Sequence, residues 1–125
     1  MKTLNIEQIL HFHTKIIAAT GGSDGTSDRG MIESAIGKAF VTFDGQDLYP
    51  DVYKKIAVTT YALIKNHGFV DGNKRIGIAS MILLLKLNEI RIEYTQKELV
   101  DLGIGIAEGK LTEVDIELWI KRHQV

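Results

Sequence analysis

Along most of this chain apolar residues return every three to four positions, broken by short stretches rich in Gly, Ser and Asp. That rhythm predicts about six helices. Asn5 with Gln8 is a capping-box pair, opening a first helix to about Ala19 with Ile6, Ile9, Leu10, His13 and Ile17 as its inner stripe. Residues 20–27, Thr-Gly-Gly-Ser-Asp-Gly-Thr-Ser, read by composition as a flexible loop. Asp28 can cap a second helix reaching about Phe40, with Met31, Ile32, Ala35, Ile36 and Ala39 turned inward. The period then changes. Residues 41–49 place Asp44-Gly45 between β-favouring residues, the signal of a short hairpin. A lone hairpin on a helical protein is marginal as structure and reads as a flap.

Pro50 suits the first turn of a third helix running to about Asn66, with Val52, Ile56, Thr59, Leu63 and Ile64 facing in. Residues 67–72 form a connection. Residues 76–87, Ile-Gly-Ile-Ala-Ser-Met-Ile-Leu-Leu-Leu-Lys-Leu, are apolar nearly all round, which predicts a buried central helix. They are too few to span a membrane. Residues 90–94 alternate like a brief strand or extended connector. Thr95 with Glu98 opens a fifth helix that stops near Gly109, and Thr112 with Asp115 opens a sixth with Ile116, Trp119 and Ile120 inward. The expected architecture is all-α: one compact domain over residues 1–125, a helical bundle with a hairpin flap.

Composition narrows the classes. At 125 residues with 45% hydrophobic and 25% charged positions, the chain can bury an ordinary core without staples. Fifteen basic against sixteen acidic residues leave a net charge of −1, so no global attraction to nucleic acid or an acidic membrane follows. The absence of cysteine excludes disulfides and thiolate zinc sites. The N-terminal residues lack the apolar stretch of a signal peptide, which makes the cytoplasm the expected location.

The chemistry concentrates in residues 67–77, His-Gly-Phe-Val-Asp-Gly-Asn-Lys-Arg-Ile-Gly. Lys74 and Arg75 fall at the start of the apolar helix, where the helix dipole disfavours cations by about 0.3–1 kcal/mol each. Cations there make sense if an anion belongs there, cradled by backbone N–H groups as phosphate is. His67 can move a proton, because an imidazole titrates near neutrality; alternatively it is a histidine favoured at a helix C-terminus. Asp71 can hold a metal ion through its carboxylate oxygens, or cap the helix. Asn73 can bond phosphate or fix the loop, and Gly72 gives the backbone room. Phe69 reads as a core anchor. No P-loop pattern is present. His11 and His13 lie on different helix faces and so do not make a metal pair.

The segment from His67 resembles the signature of the Fic/Doc family, His-Pro-Phe-x-Asp/Glu-Gly-Asn-Gly-Arg-x-x-Arg. His67, Phe69, Asp71, Gly72, Asn73 and Arg75 match it in type and spacing. Upstream, Glu33-Ser34-Ala35 and the Tyr49-Pro50 helix start are similar to the death-on-curing (Doc) branch, and the likeness extends over about residues 3–122. Two positions depart from the adenylyl-transferring members: Lys74 replaces their second glycine and Ile78 their final arginine. Both changes are shared in kind with Doc, which is understood to transfer a phosphoryl group. Gly68 replaces the usual proline, a change expected to matter little.

The resemblance implies the toxin of a type II toxin–antitoxin pair, a kinase using ATP and Mg²⁺. His67 would be the general base, Asp71 the metal ligand, Lys74 and Arg75 catalytic cations, and Gly72, Asn73, Lys74 and Arg75 the nucleotide contacts. The implied substrate is a threonine of elongation factor Tu, and the implied partner a small antitoxin whose C-terminal segment blocks the site. No Ser/Thr-x-x-x-Glu-Gly/Asn self-inhibitory pattern is placed to cover the site, in keeping with inhibition in trans. An adenylyltransferase using the same cleft is the alternative. A third reading is a helical DNA-binding module built on residues 95–120, against which the near-neutral charge speaks.

Overall fold

The computed structural model describes residues 1–125. Six helices and one hairpin follow each other as α1 (Ile6–Thr20), α2 (Arg29–Gly37), a 3₁₀ turn (Lys38–Phe40), β1 (Thr42–Phe43), β2 (Gln46–Asp47), α3 (Val52–Lys65), α4 (Asn73–Leu87), α5 (Gln96–Ala107) and α6 (Glu113–His123). The sequence signals act where expected. The α1 capping box closes with both bonds at 2.9 Å, and that of α5 closes at 2.9 and 3.1 Å. Caps of this kind are worth about 1 kcal/mol each. The hairpin turns at Asp44 and Gly45, both with positive φ, and pairs Thr42 with Asp47 and Phe43 with Gln46.

Four expectations are corrected. The second helix gives way to a 3₁₀ turn at Lys38, and Met31 faces solvent while Ile32 and Ala35 are buried. Pro50 lies outside α3, because Asp51 caps that helix by accepting from the Lys54 amide at 2.8 Å. The central element is α3, packed against α2, the 3₁₀ turn, α4, α5 and α6. Its pattern hid this because Lys55 and Thr60, like the inward-read Thr59, are polar yet buried. The two threonine hydroxyls donate to the carbonyls of Lys55 and Ile56 at 2.8 Å, which removes the cost of burying them. Lys55 donates to the Ala39 carbonyl at 2.8 Å and approaches Asp47 at 3.3 Å, tying the hairpin to the core.

By contrast α4 is buried on one side only. Ile76, Gly77, Ser80, Met81, Leu84 and Leu85 face in, and Gly77 allows close approach to α3, since a Cβ there would stand 2.4 Å from Ile64 Cγ1. On its other side Ile78, Ala79 and Ile82 form an open apolar groove of about 470 Å³ with Ile16 of α1 and Leu99 and Val100 of α5. No helix is long and apolar enough to cross a membrane.

The fourth correction concerns residues 20–27. They are bonded along their length to residues 67–71: the Ser27 and Asp28 amides donate to Gly68 O at 2.9 and 3.0 Å, and Val70 N donates to Gly25 O at 3.1 Å. Composition favoured a free loop, but these long-range pairings have no local signature.

At the far end His123 stacks on Trp119, with centroids 4.0 Å apart, and pairs with Glu98 at 2.5 Å. The His123 imidazole, with the Thr95 amide, holds the Glu98 carboxyl down at about 2. A carboxyl lowered in the folded state contributes stability above its unfolded pKa and loses it as pH falls through the folded value. Glu98→Gln is therefore expected to be less stable than the parent at pH 6, with the difference vanishing between about pH 4.5 and 2. Urea midpoints of both proteins across that range test it.

Candidate active site

The connection between α3 and α4, with the first turn of α4, holds the candidate site residues singled out in the sequence. Two left-handed residues shape it, His67 with φ 50° and Gly72 with φ 79°. Between them Phe69 is buried and stacks on the ring of His13, centroids 3.8 Å apart and planes 14° apart. Asn73, first residue of α4, locks the loop from the other side. Its side chain donates to Phe69 O and accepts from Phe69 N, both at 3.0 Å. Of its two sequence readings, loop fixing is the one this geometry uses. Gly68 matters more than expected, because a Cβ there would stand 2.4 Å from Ile32 Cγ1 and 3.1 Å from Asp28 O. Neither alanine nor the usual proline fits unless Ile32 moves.

An open depression of about 390 Å³ is lined by His67, Val70, Asp71, Gly72, Asn73, Lys74 and Arg75. The six residues given site roles in the sequence, His67, Asp71, Gly72, Asn73, Lys74 and Arg75, thus line one space. The His67 side chain is exposed and makes no hydrogen bond within the protein; only its carbonyl is used, accepting from Ser27 Oγ at 3.0 Å. Gly72 stands at the N-cap of α4 and offers no side-chain cap. The amides of Asn73, Lys74 and Arg75 consequently have no acceptor in the protein. Uncapped amides at the positive end of a 15-residue helix form an anion site.

Asp71 does not cap α4. Its Oδ2 accepts from the Ser23 amide at 3.1 Å and its Oδ1 from the Gly72 amide at 2.8 Å, with Arg75 Nη2 3.6 Å away. The Ser23 amide first, then the Gly72 amide, hold its carboxyl below the usual range, so it stays ionised near neutrality. Arg75 is half-buried and donates to Thr20 Oγ1 and Gly21 O, both at 2.6 Å, at the C-terminal end of α1. A Cβ on Gly22 would collide with this pair, at 2.4 Å from Asp71 Oδ2 and 2.9 Å from Arg75 Nη2. Lys74 is different. Its stem crosses Gly103 of α5, and its ammonium has no partner.

Sequence reasoning missed His13, Thr20 and Ser23. They reach the site from α1 and the loop after it, some 50 residues away along the chain. Only the place of a histidine on the inner stripe of α1 hinted at one of them.

The model of the Fic/DOC family matches residues 3–85, from α1 through most of α4 and including this whole depression. The chain belongs to the Fic/Doc family. Its relatives include the "Protein kinase doc" of Escherichia phage P1, 28% identical over 122 residues, spanning 98% of this chain and 95% of that protein. The "Toxin Doc" of Mycolicibacterium smegmatis is 31% identical over 96 residues, 77% of this chain and 69% of the relative. The first alignment runs on past α4, so α5 and α6 belong to the shared fold as well.

No group of three or more His, Asp or Glu side chains could hold a metal by itself. What the depression offers is one ionised carboxylate beside an anion site. That fits Mg²⁺ arriving with a nucleotide, an ion that takes one or two carboxylates and completes its shell with phosphates and water.

Proposed function

We propose that this Fic/Doc protein is a Doc-like toxin that transfers the γ-phosphoryl group of ATP to a serine or threonine hydroxyl of a translation factor, elongation factor Tu by resemblance, and so halts translation. The observation that carries the reading is a free imidazole, a free ammonium and three free helix amides around one depression. His67 takes the proton of the target hydroxyl as its oxygen attacks the γ-phosphorus. The bond from that phosphorus to the β–γ bridging oxygen breaks, and ADP leaves. Lys74 and the amides of Asn73, Lys74 and Arg75 hold the negative charge of the transferred group, which is most of what this reaction asks of a protein. Asp71 would hold Mg²⁺, which when bound neutralises phosphate charge. Arg75 contributes by fixing Asp71 and the end of α1 and lends its charge from there.

Phosphoryl transfer is favoured over adenylyl transfer by the two departures from the adenylyl-transferring pattern. Lys74 projects where a glycine would leave space, and one turn on Ile78 presents an apolar side chain against Gly103 in place of a cation. The hairpin, with Phe43 exposed and held to the core through Lys55, would align the target segment by strand addition. A small antitoxin is the proposed partner. The apolar groove between α1, α4 and α5, which opens beside Lys74 and Arg75, suits the apolar face of a helical segment from it.

Intact-mass analysis of elongation factor Tu after incubation with the protein, Mg²⁺ and ATP tests this. A gain of about 80 Da is expected, one phosphoryl group. A nucleotidyl-sized gain would establish adenylyl transfer instead. No gain would remove this factor as the substrate and move the search to a labelled lysate.

A further inference from the structure

The interior holds one histidine that the reaction above does not use. His13 is 1% exposed, yet both ring nitrogens face polar atoms of the site. Its Nε2 lies 2.7 Å from the carbonyl oxygen of Asp71, which can only accept, so Nε2 carries a proton and donates. Its Nδ1 faces Asp24 Oδ1 at 3.4 Å, and that carboxylate is itself placed by Thr14 Oγ1 at 3.2 Å and the Gly25 amide at 2.8 Å. The ring face lies on Phe69. A Cβ on Gly72 would come within 3.4 Å of Nε2, so the ring also packs against the turn that opens α4.

Asp71 is therefore gripped at both ends, its carbonyl by α1 through His13 and its carboxylate by Ser23 and Gly72. The grip on the carbonyl fixes the Asp71–Gly72 peptide plane. That plane sets the left-handed turn at Gly72 and, through it, the direction of the three free amides. We propose that His13 is a positioning residue of the phosphoryl-transfer site, aiming the Asp71 carboxylate and the anion-binding end of α4 through its bond to the Asp71 carbonyl. The inference rests on reading the depression as that site.

A histidine that only fills space would matter through its bulk; a positioning histidine matters through its donor. His13→Leu keeps much of the bulk and removes the donor, whereas His13→Gln places an amide N–H near the Nε2 position. Two readouts are taken well below the unfolding temperature of every variant. One is kcat and KM for ATP in phosphoryl transfer. The other is hydrogen exchange at the protected amides of Phe69, Val70, Gly72 and Ile76.

His13→Leu should lower kcat by about 10–100-fold, since small misplacements cost that much, with a smaller change in KM. Exchange at those four amides should speed up about tenfold or more while α3 and α6 stay protected. His13→Gln should return both readouts to within about threefold of the parent. The proposal is overturned if His13→Leu lowers only the melting temperature, or if the Gln variant is as impaired as Leu. Should the parent transfer no phosphoryl group at all, the functional reading falls on its own. The exchange data then still decide whether His13 sets this turn, and unchanged exchange would reject it.

Discussion

Replacing His67 by alanine is expected to lower phosphoryl transfer by about 10²–10⁴-fold, the usual worth of a positioned general base. No other group can take over. The Asp71 carboxyl is held low and committed to two amides, and the His13 ring is buried with Nε2 already donating to the Asp71 carbonyl. The backbone complicates the experiment in a way the structure makes explicit. His67 has φ 50°, a region that His and Asn tolerate better than alanine. His67→Ala therefore carries a stability loss of up to about 1–2 kcal/mol besides the loss of the imidazole. His67→Asn keeps the backbone comfortable and still lacks a base. Both variants should lose transfer alike in single-turnover assays, while only the alanine variant shows a lowered urea midpoint. A His67→Asn protein that keeps its activity would end the general-base assignment, with no unfolding to hide behind.

The candidate residues stood out in the sequence because they are contiguous. His67, Asp71, Asn73 and Lys74 lie within one loop and one helix turn, and their spacing alone puts them on one rim. What supports them was not legible. His13 takes the Asp71 carbonyl from the inner stripe of α1, while Thr20 and Gly21 receive Arg75 and the Ser23 amide meets the Asp71 carboxylate from a segment whose glycines and serines read as flexible. Its order comes from backbone pairing with residues 68–70, and a pairing between two irregular segments leaves no periodicity to detect. The fold shows the same split. Caps at Asn5, Asp28 and Thr95 are local chemistry and announce themselves. That α3 rather than α4 is central depends on Lys55 and Thr60 being buried with their polar atoms bonded, at positions an apolar count scores as exposed. The even hydrophobicity of α4 belongs half to the core and half to the groove beside Lys74.

Lys74→Met should cost about 10²–10³-fold in kcat, the loss seen when one preorganised donor to a developing negative charge is removed. The choice of methionine matters. The stem of Lys74 lies across Gly103, where a Cβ would come within 3.2 Å of Lys74 Cγ, and methionine keeps that contact while dropping the charge. Glycine would drop the stem as well and weaken the first turn of α4 by about 1 kcal/mol. The two substitutions therefore separate charge from space. If the ammonium drives the reaction, methionine and glycine lose phosphoryl transfer equally. If the stem's main effect is to deny room to a nucleotide bound in the opposite sense, glycine alone should gain nucleotidyl transfer, visible as the larger mass increment on the target. Stability supplies an independent sign. An unpartnered cation in the first turn works against the dipole of α4, so Lys74→Met without nucleotide should be as stable as the parent or more so, by up to about 1 kcal/mol at low salt. ATP should then stabilise the parent more than the variant, because the anion that justifies the charge is bound less tightly without it. A variant stabilised by ATP as strongly as the parent, with kcat intact, would take Lys74 out of both binding and chemistry and leave the helix amides as the whole of the anion site.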